Sequence, residues 1–208
     1  MGFRWGSRWL GVILAAGCAA LSAGASPNLA RLSLKSASAL VLDQSTGLAL
    51  VEKQAGASVP IASLTKLMTA MVLLDAHLDP QEELTITSDD LDLLRHSRSR
   101  LPVGTRLPRE QALLLALLAS ENRAAHALGR TFPGGLAAFV LAMNAKAQEL
   151  GLTGARFEDP TGLSSSNVAT AWDLARILQA AYRYPEIRDF STRPGTTLQS
   201  GRPLRFPA

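Results

Sequence analysis

A strongly apolar stretch in the first half of the chain has helical spacing. Between residues 61 and 78 its apolar side chains recur every three or four positions, at Leu64, Leu67, Met68, Met71, Leu74 and Leu78. Val72 and Leu73 fill much of the remaining circumference, and a helix that is apolar most of the way round is a buried one. We therefore predict a buried helix from residue 61 to about residue 77.

Three later stretches also have a helical pattern. Residues 108–119 are rich in leucine and begin with a proline, which suits the first position of a helix, and the pattern resumes after residue 122. Residues 136–150 form an amphipathic stretch that Gly151 closes. Thr170 and Asp173 resemble a capping box that opens a helix to about residue 181. After Pro185 we find no pattern and predict no regular element.

The strand signals are short. Residues 39–43 and 48–52 are apolar runs around the turn 44–47, which predicts a β-hairpin leading into the apolar helix. A lone hairpin is only marginally stable, so we expect it to belong to a larger sheet. Residues 84–107 read as strand fragments and turns, and residues 156–167 as a loop rich in Gly, Pro and Ser.

Ser63 and Lys66 lie at the start of the apolar helix. A spacing of three places both side chains on one face, where a lysine amine can take the proton of a serine hydroxyl. Ser63 could instead be a simple helix cap, but a cap is more often followed by Glu or Gln three residues later. A lysine there is unfavourable for the helix dipole, and the same field together with burial lowers its pKa. This favours the catalytic interpretation.

Ser120 and Asn122 lie between two helical stretches, where side chains project. The Ser120 hydroxyl could relay protons with Lys66, and the Asn122 amide could hold a substrate carbonyl. The pattern Ser-x-Asn also occurs at Ser26 and Ser165. The position of Ser120 between buried helices distinguishes it from these two.

The N-terminus predicts a secretory signal peptide over residues 1–25, followed by a linker at 26–36 and one domain at 37–208. Arg4 and Arg8 precede an apolar run, and Ala23-Gly24-Ala25 fits a cleavage site. Lipidation at Cys18 is a minor alternative. Without residues 1–25, the formal charge falls from +4 to +2. That value is too small to argue for nucleic acid, and three scattered histidines argue against a metal site.

A basic stretch lies between the first two helices, at Arg95, Arg98, Arg100 and Arg106. Two interpretations remain open. It is either a solvated loop, the commoner case, or a surface that meets an anionic polymer.

The Ser63-x-x-Lys66 helix and the Ser120-x-Asn122 junction resemble the first two motifs of the penicillin-recognising serine acyl-transferases. The flanking residues resemble more narrowly the D-alanyl-D-alanine endopeptidases among the low-molecular-mass penicillin-binding proteins. The stretches that carry this resemblance are 60–70, 120–125, 142–146, 159–163 and the hairpin turn from Asp43 to Gly47.

The resemblance implies a periplasmic enzyme that acts on the peptide stems of peptidoglycan. Ser63 would attack a D-alanine carbonyl, Lys66 would be the general base, Ser120 would carry protons and Asn122 would bind substrate. β-Lactams would acylate Ser63, and no metal or organic cofactor is implied. The implied fold is α+β, a β-lactamase/transpeptidase-like helical cluster against an antiparallel sheet.

The third motif of this family, Lys-Thr-Gly, is absent. The chain has four lysines, and none precedes Thr-Gly. We therefore expect the C-terminal strands and helix of the family fold to be missing, with an open sheet edge and an uncovered apolar face. Loss of one oxyanion donor costs on the order of 10²–10³ in rate, so we expect impaired activity.

Two other functions remain open. The missing motif favours a non-catalytic peptidoglycan-binding protein. A serine β-lactamase shares Ser-x-x-Lys and needs a carboxylate that activates water; Glu158 lies in a suitable loop, but its surroundings do not resemble that motif. Endopeptidase and carboxypeptidase activities use the same chemistry, and only the flanking resemblance separates them.

Overall fold

The computed structural model describes residues 33–199 and 203–207. The predicted signal peptide, Cys18 and most of the predicted linker lie outside these residues. The part of the chain that begins at Leu34 forms one compact unit. No helix in the described ranges has the length and apolar content that a bilayer crossing requires.

Six α-helices lie within the described residues of this unit. They are α1 (Thr65–Asp75), α2 (Arg109–Leu118), α3 (Asn122–Arg130), α4 (Gly135–Glu149), α5 (Ala171–Ala181) and α6 (Pro185–Thr192). Helix α1 lies at the centre and packs against α2, α3, α4 and α5. Its Met68, Ala70 and Met71 are completely buried, as the apolar pattern predicts.

Within residues 33–199 and 203–207, the strands form four separate antiparallel pairs. These pairs are β1 (Ala39–Leu42) with β2 (Ala49–Lys53), β3 (Val59–Pro60) with β6 (Val168–Ala169), β4 (Glu83–Thr85) with β5 (Arg106–Pro108), and β7 (Gly195–Leu198) with β8 (Leu204–Pro207). The β3–β6 pair places the chain just before Ser63 beside the end of the 156–167 loop. This short pair therefore holds the loop next to the candidate site.

The hairpin is confirmed, but the larger sheet expected around it is not found in residues 33–199 and 203–207. Leu48 is 65% exposed and Val41 is 48% exposed. These two apolar side chains of the hairpin are thus largely uncovered. The mixture of helices and small antiparallel sheets confirms the α+β class.

Two predicted boundaries need correction. The helix predicted from residue 61 begins at Thr65, after a 3₁₀ turn at Ala62–Leu64, because Ala62 has a φ of +48° that no α-helix contains. Pro108 is the N-cap of α2 and not its first residue, since its ψ of 149° is extended.

The absence of structure predicted after Pro185 is wrong. Pro185 is the first residue of α6, and the strands β7 and β8 follow. Helix α6 buries only Ile187 and Phe190 against the core among otherwise polar residues. Two apolar positions are too few to show a helical period in the sequence.

Candidate active site

Ser63 lies in the 3₁₀ turn that leads into α1. The preceding residue, Ala62, has left-handed backbone geometry, which is uncommon for a residue with a Cβ and is concentrated at functional sites. Ser63 is exposed, whereas Lys66 in the first turn of α1 is only 3% exposed. The hydroxyl of Ser63 bonds no backbone amide at either helix start, so it does not act as a cap. Its Oγ lies 3.1 Å from Lys66 Nζ, as the three-residue spacing predicts.

The Lys66 amine has three acceptors. Nζ lies 3.1 Å from Ser63 Oγ, 2.8 Å from Asn122 Oδ1 and 2.8 Å from the Thr161 carbonyl oxygen. These three match the three hydrogens of an ammonium. Once the amine is neutral, it has a lone pair to offer and the Ser63 hydroxyl can donate to it.

Burial lowers the pKa of Lys66 from 10.5 to about 8, against the raising effect of Asp159 and Glu121. At neutral pH about one amine in ten is therefore uncharged, which is enough to supply a general base. The carboxylates keep this pKa from falling further. The site thus holds a lysine that gains and loses its proton near physiological pH.

Ser120 also contacts the Ser63 hydroxyl. Its Oγ donates a hydrogen bond of 2.9 Å to Ser63 Oγ. Ser120 has a φ of +53° and lies in the link between α2, which ends at Leu118, and α3, which begins at Asn122. The structure brings Ser63, Lys66, Ser120 and Asn122 into one hydrogen-bonded cluster, as the sequence predicts.

The loop at residues 159–163 closes the base of this cluster. One Asp159 carboxylate oxygen accepts from the backbone amides of Thr161 and Gly162, which turns the Thr161 carbonyl towards Lys66. A Cβ on Gly162 would lie 1.9 Å from the Ala62 carbonyl oxygen. Only glycine fits at this point, so the loop and the Ser63 turn are in direct backbone contact.

Asn167 fastens this loop to α1. Its side chain is completely buried and donates to Thr65 Oγ1 and to the Asp159 carbonyl, while its Oδ1 accepts from the amides of Glu158 and Asp159. The Gly, Pro and Ser content of residues 156–167 predicts a loop but indicates no role for Asn167. The sequence shows an asparagine at the end of a loop rich in Gly and Pro, but it shows neither the burial of this side chain nor its hydrogen-bond partners.

A second loop, residues 91–101, borders the cluster on the other side. Asn122 Nδ2 donates a 3.0 Å bond to Ser97 Oγ, and Arg95 Nε donates a 2.8 Å bond to the Leu163 carbonyl. Arg95, Arg98 and Arg100 of the basic stretch lie in this loop, whereas Arg106 lies in β5. Arg98 and Arg100 are exposed, which fits a solvated loop and leaves the anionic-surface interpretation a prediction.

A cavity of about 380 Å³ opens beside Ser63. Leu64, Leu67 and Leu117 form apolar walls, and Ser120 and Ser191 add hydroxyl groups. The carboxylate of Glu158 bonds Arg156 at 2.9 Å, which gives no support to a water-activating role beside Ser63. Within residues 33–199 and 203–207, no group of three His, Cys, Asp or Glu side chains is arranged to hold a metal ion.

The fold places this chain among the DD-transpeptidase-like proteins. It superposes on a mutant of the Streptomyces K15 DD-transpeptidase with a TM-score of 0.75 and 25% identity, covering 85% of this chain and 73% of that one. A family model described as D-alanyl-D-alanine carboxypeptidase matches residues 23–202, and the chain belongs to that family. The resemblance drawn from the two motifs is thereby confirmed.

Two curated relatives are both named D-alanyl-D-alanine endopeptidase. The D-alanyl-D-alanine endopeptidase of Pseudomonas aeruginosa is 49% identical over 170 residues, which is 82% of this chain and 55% of the relative. That of Escherichia coli is 44% identical over 159 residues, 76% of this chain and 51% of the relative. The chain spans about half the length of these relatives.

Proposed function

We propose that this chain carries the chemistry of a serine D,D-endopeptidase that hydrolyses D-alanyl peptide cross-links of peptidoglycan. The observation that carries the proposal is the contact of the Ser63 hydroxyl with a buried lysine amine whose pKa is lowered to about 8. A family of D-alanyl-D-alanine peptidases and two relatives named endopeptidases support the substrate class.

In the proposed mechanism, Ser63 Oγ attacks the carbonyl carbon of a D-alanine residue while the neutral Lys66 amine accepts its proton. The tetrahedral intermediate collapses by breaking the peptide C–N bond. The proton that Lys66 took from Ser63 passes to the leaving amine by way of Ser120, whose hydroxyl lies 2.9 Å from that of Ser63. The Lys66 amine, neutral again, takes a proton from the water that attacks the Ser63 ester, and this proton returns to Ser63 Oγ as the ester C–O bond breaks.

Asn122 has the proposed role of holding the substrate. Its Oδ1 faces Lys66, and one Nδ2 hydrogen is directed at Ser97. The second Nδ2 hydrogen has no acceptor within residues 33–199 and 203–207, so it can donate to a carbonyl of a bound peptide. The same geometry would receive a β-lactam, whose strained amide would acylate Ser63.

The site of action is proposed to be the periplasm. The relatives are bacterial proteins named for a cell-wall substrate, and the predicted signal peptide over residues 1–25 fits export. A lipid anchor at Cys18 is the minor alternative.

A non-catalytic peptidoglycan-binding protein is the second candidate. The absence of Lys-Thr-Gly from the sequence favours it, because that motif contributes an oxyanion donor in the family it resembles. In this case the cluster around Ser63 would bind a D-alanyl peptide without cleaving it.

Incubation with a fluorescent penicillin tests the proposal. We expect a covalent adduct on the wild-type chain, located on Ser63 by mass spectrometry, and none on Ser63→Ala. A folded chain that never forms this adduct would overturn the proposal. Retention on cell-wall sacculi that survives Ser63→Ala, without turnover of cross-linked muropeptides, would identify the binding protein instead.

A further inference from the structure

The Asn122 amide is held at both ends. Its oxygen accepts from Lys66 Nζ at 2.8 Å, and its nitrogen donates to Ser97 Oγ at 3.0 Å. An amide fixed at one end alone can rotate about its last side-chain bond, since the torsion next to an amide is broad. The contact with Ser97 therefore sets the plane of the Asn122 amide.

Ser97 is itself firmly placed. Its backbone amide donates to Asp92 Oδ2 at 2.8 Å, and Asp92 Oδ1 accepts from the amides of Leu94 and Arg95 at 2.9 Å each. Arg95 then bonds the carbonyl of Leu163 at 2.8 Å. The turn that carries Ser97 is thus tied both to its own carboxylate and to the loop that approaches Lys66.

We propose that Ser97 is a positioning residue of the active site, which acts through the Asn122 amide on the Lys66 amine and on the substrate. With one Nδ2 hydrogen donated to Ser97 and Oδ1 held against Lys66, the plane of the amide fixes the direction of the second Nδ2 hydrogen. This assigns a task to the exposed loop at residues 91–101 that neither motif of the sequence indicates. The inference builds on the proposed function.

Removal of the Ser97 hydroxyl has two expected effects. A net hydrogen-bond contribution of ordinary size corresponds to a three- to tenfold change, so we expect acylation by penicillin to slow by about that factor in Ser97→Ala. The Asn122 Oδ1 atom would also be held less firmly against Lys66. Because this oxygen stabilises the charged amine, the pKa of Lys66 should fall by up to about one unit.

Two variants separate positioning from a general disturbance of the loop. Ser97→Thr keeps the hydroxyl and should restore both the rate and the Lys66 pKa. Ser99→Ala makes the same chemical change two residues away, where the hydroxyl bonds the backbone of Leu101. It should leave both quantities at their wild-type values.

The experiment measures the second-order rate of Ser63 labelling by a fluorescent penicillin and the Lys66 pKa by NMR of ¹³C-labelled lysine, in the full chain. Wild-type values in Ser97→Ala, or an equal change in Ser99→Ala, would overturn the inference. If the wild-type chain forms no adduct, the proposed function fails. The Lys66 pKa and the Asn122 side-chain amide resonances then still decide the role of Ser97.

Discussion

Replacing Gly162 with alanine should disable the site through backbone contact alone. Gly162 has a φ of +84°, and an added Cβ would lie 1.9 Å from the Ala62 carbonyl oxygen. Ordinary contact requires the two segments to separate by on the order of 1 to 2 Å. The segments that must move carry Ser63 on one side and the Thr161 carbonyl on the other. Misplacement of reacting groups by about 1 Å costs on the order of 100-fold in rate.

Gly104→Ala is the matched control. Gly104 has a φ of +89°, and its Cβ would meet nothing within 4 Å. Both variants bear the left-handed backbone cost of about 1–2 kcal/mol. Only Gly162→Ala adds a steric conflict. Overpacking of this kind lowers the free energy of unfolding by about 1–3 kcal/mol more.

Urea unfolding and the rate of labelling by a fluorescent penicillin measure the two effects. We expect Gly104→Ala to lose about 1–2 kcal/mol of stability and to keep its labelling rate. Gly162→Ala should lose more stability and at least about 100-fold in labelling rate. Equal stability and equal labelling of the two variants would refute the role given to this contact.

Three further changes test separate parts of the structure. Ser120→Ala removes the hydroxyl that donates to the candidate nucleophile and should slow penicillin labelling by about 10²–10⁴ with unchanged stability; an unchanged rate would remove it from the proton path. Asn167→Ala leaves buried groups of α1 and its loop unpaired and should cost about 3 kcal/mol or more in urea unfolding, whereas a loss below about 1 kcal/mol would contradict its role as a fastener. Burial raises the pKa of Asp90, but the bonds from His126 and Arg130 outweigh this and lower it to about 2. Its contribution is therefore present above pH 3.8 and should fall by about 2 kcal/mol as the pH approaches 2, and Asp90→Asn should lack that part of the acid dependence.

The sequence predicted the central helix and the four members of the cluster because each depended on local spacing. Ser63 and Lys66 are one turn apart, and helical geometry alone brings them together. Ser120 and Asn122 lie at a break between helices, which also reads directly from the pattern. Their meeting with Ser63 required the packing of α1 against α3, which the family resemblance supplied.

The partners that complete the site were not predictable from the sequence. Thr161 contributes a backbone carbonyl, and any residue type has one. Ser97 and Asn167 are common residues in irregular segments, and their partners are 25 and 102 residues away in the chain. Irregular backbone depends on such long-range contacts, so its conformation has no local period to detect. Helix α6 was missed for a related reason, because it buries only two apolar side chains.

The most direct test of the account is the pKa of Lys66. The chain has four lysines, so ¹³C-labelled lysine gives few resonances, and Lys66→Arg assigns the one of interest. The account predicts a Lys66 pKa near 8 and a penicillin labelling rate that rises with pH through the same value, because the uncharged amine is the base. A Lys66 pKa at or above that of an ordinary lysine, with a labelling rate that does not change between pH 7 and 9, would contradict it.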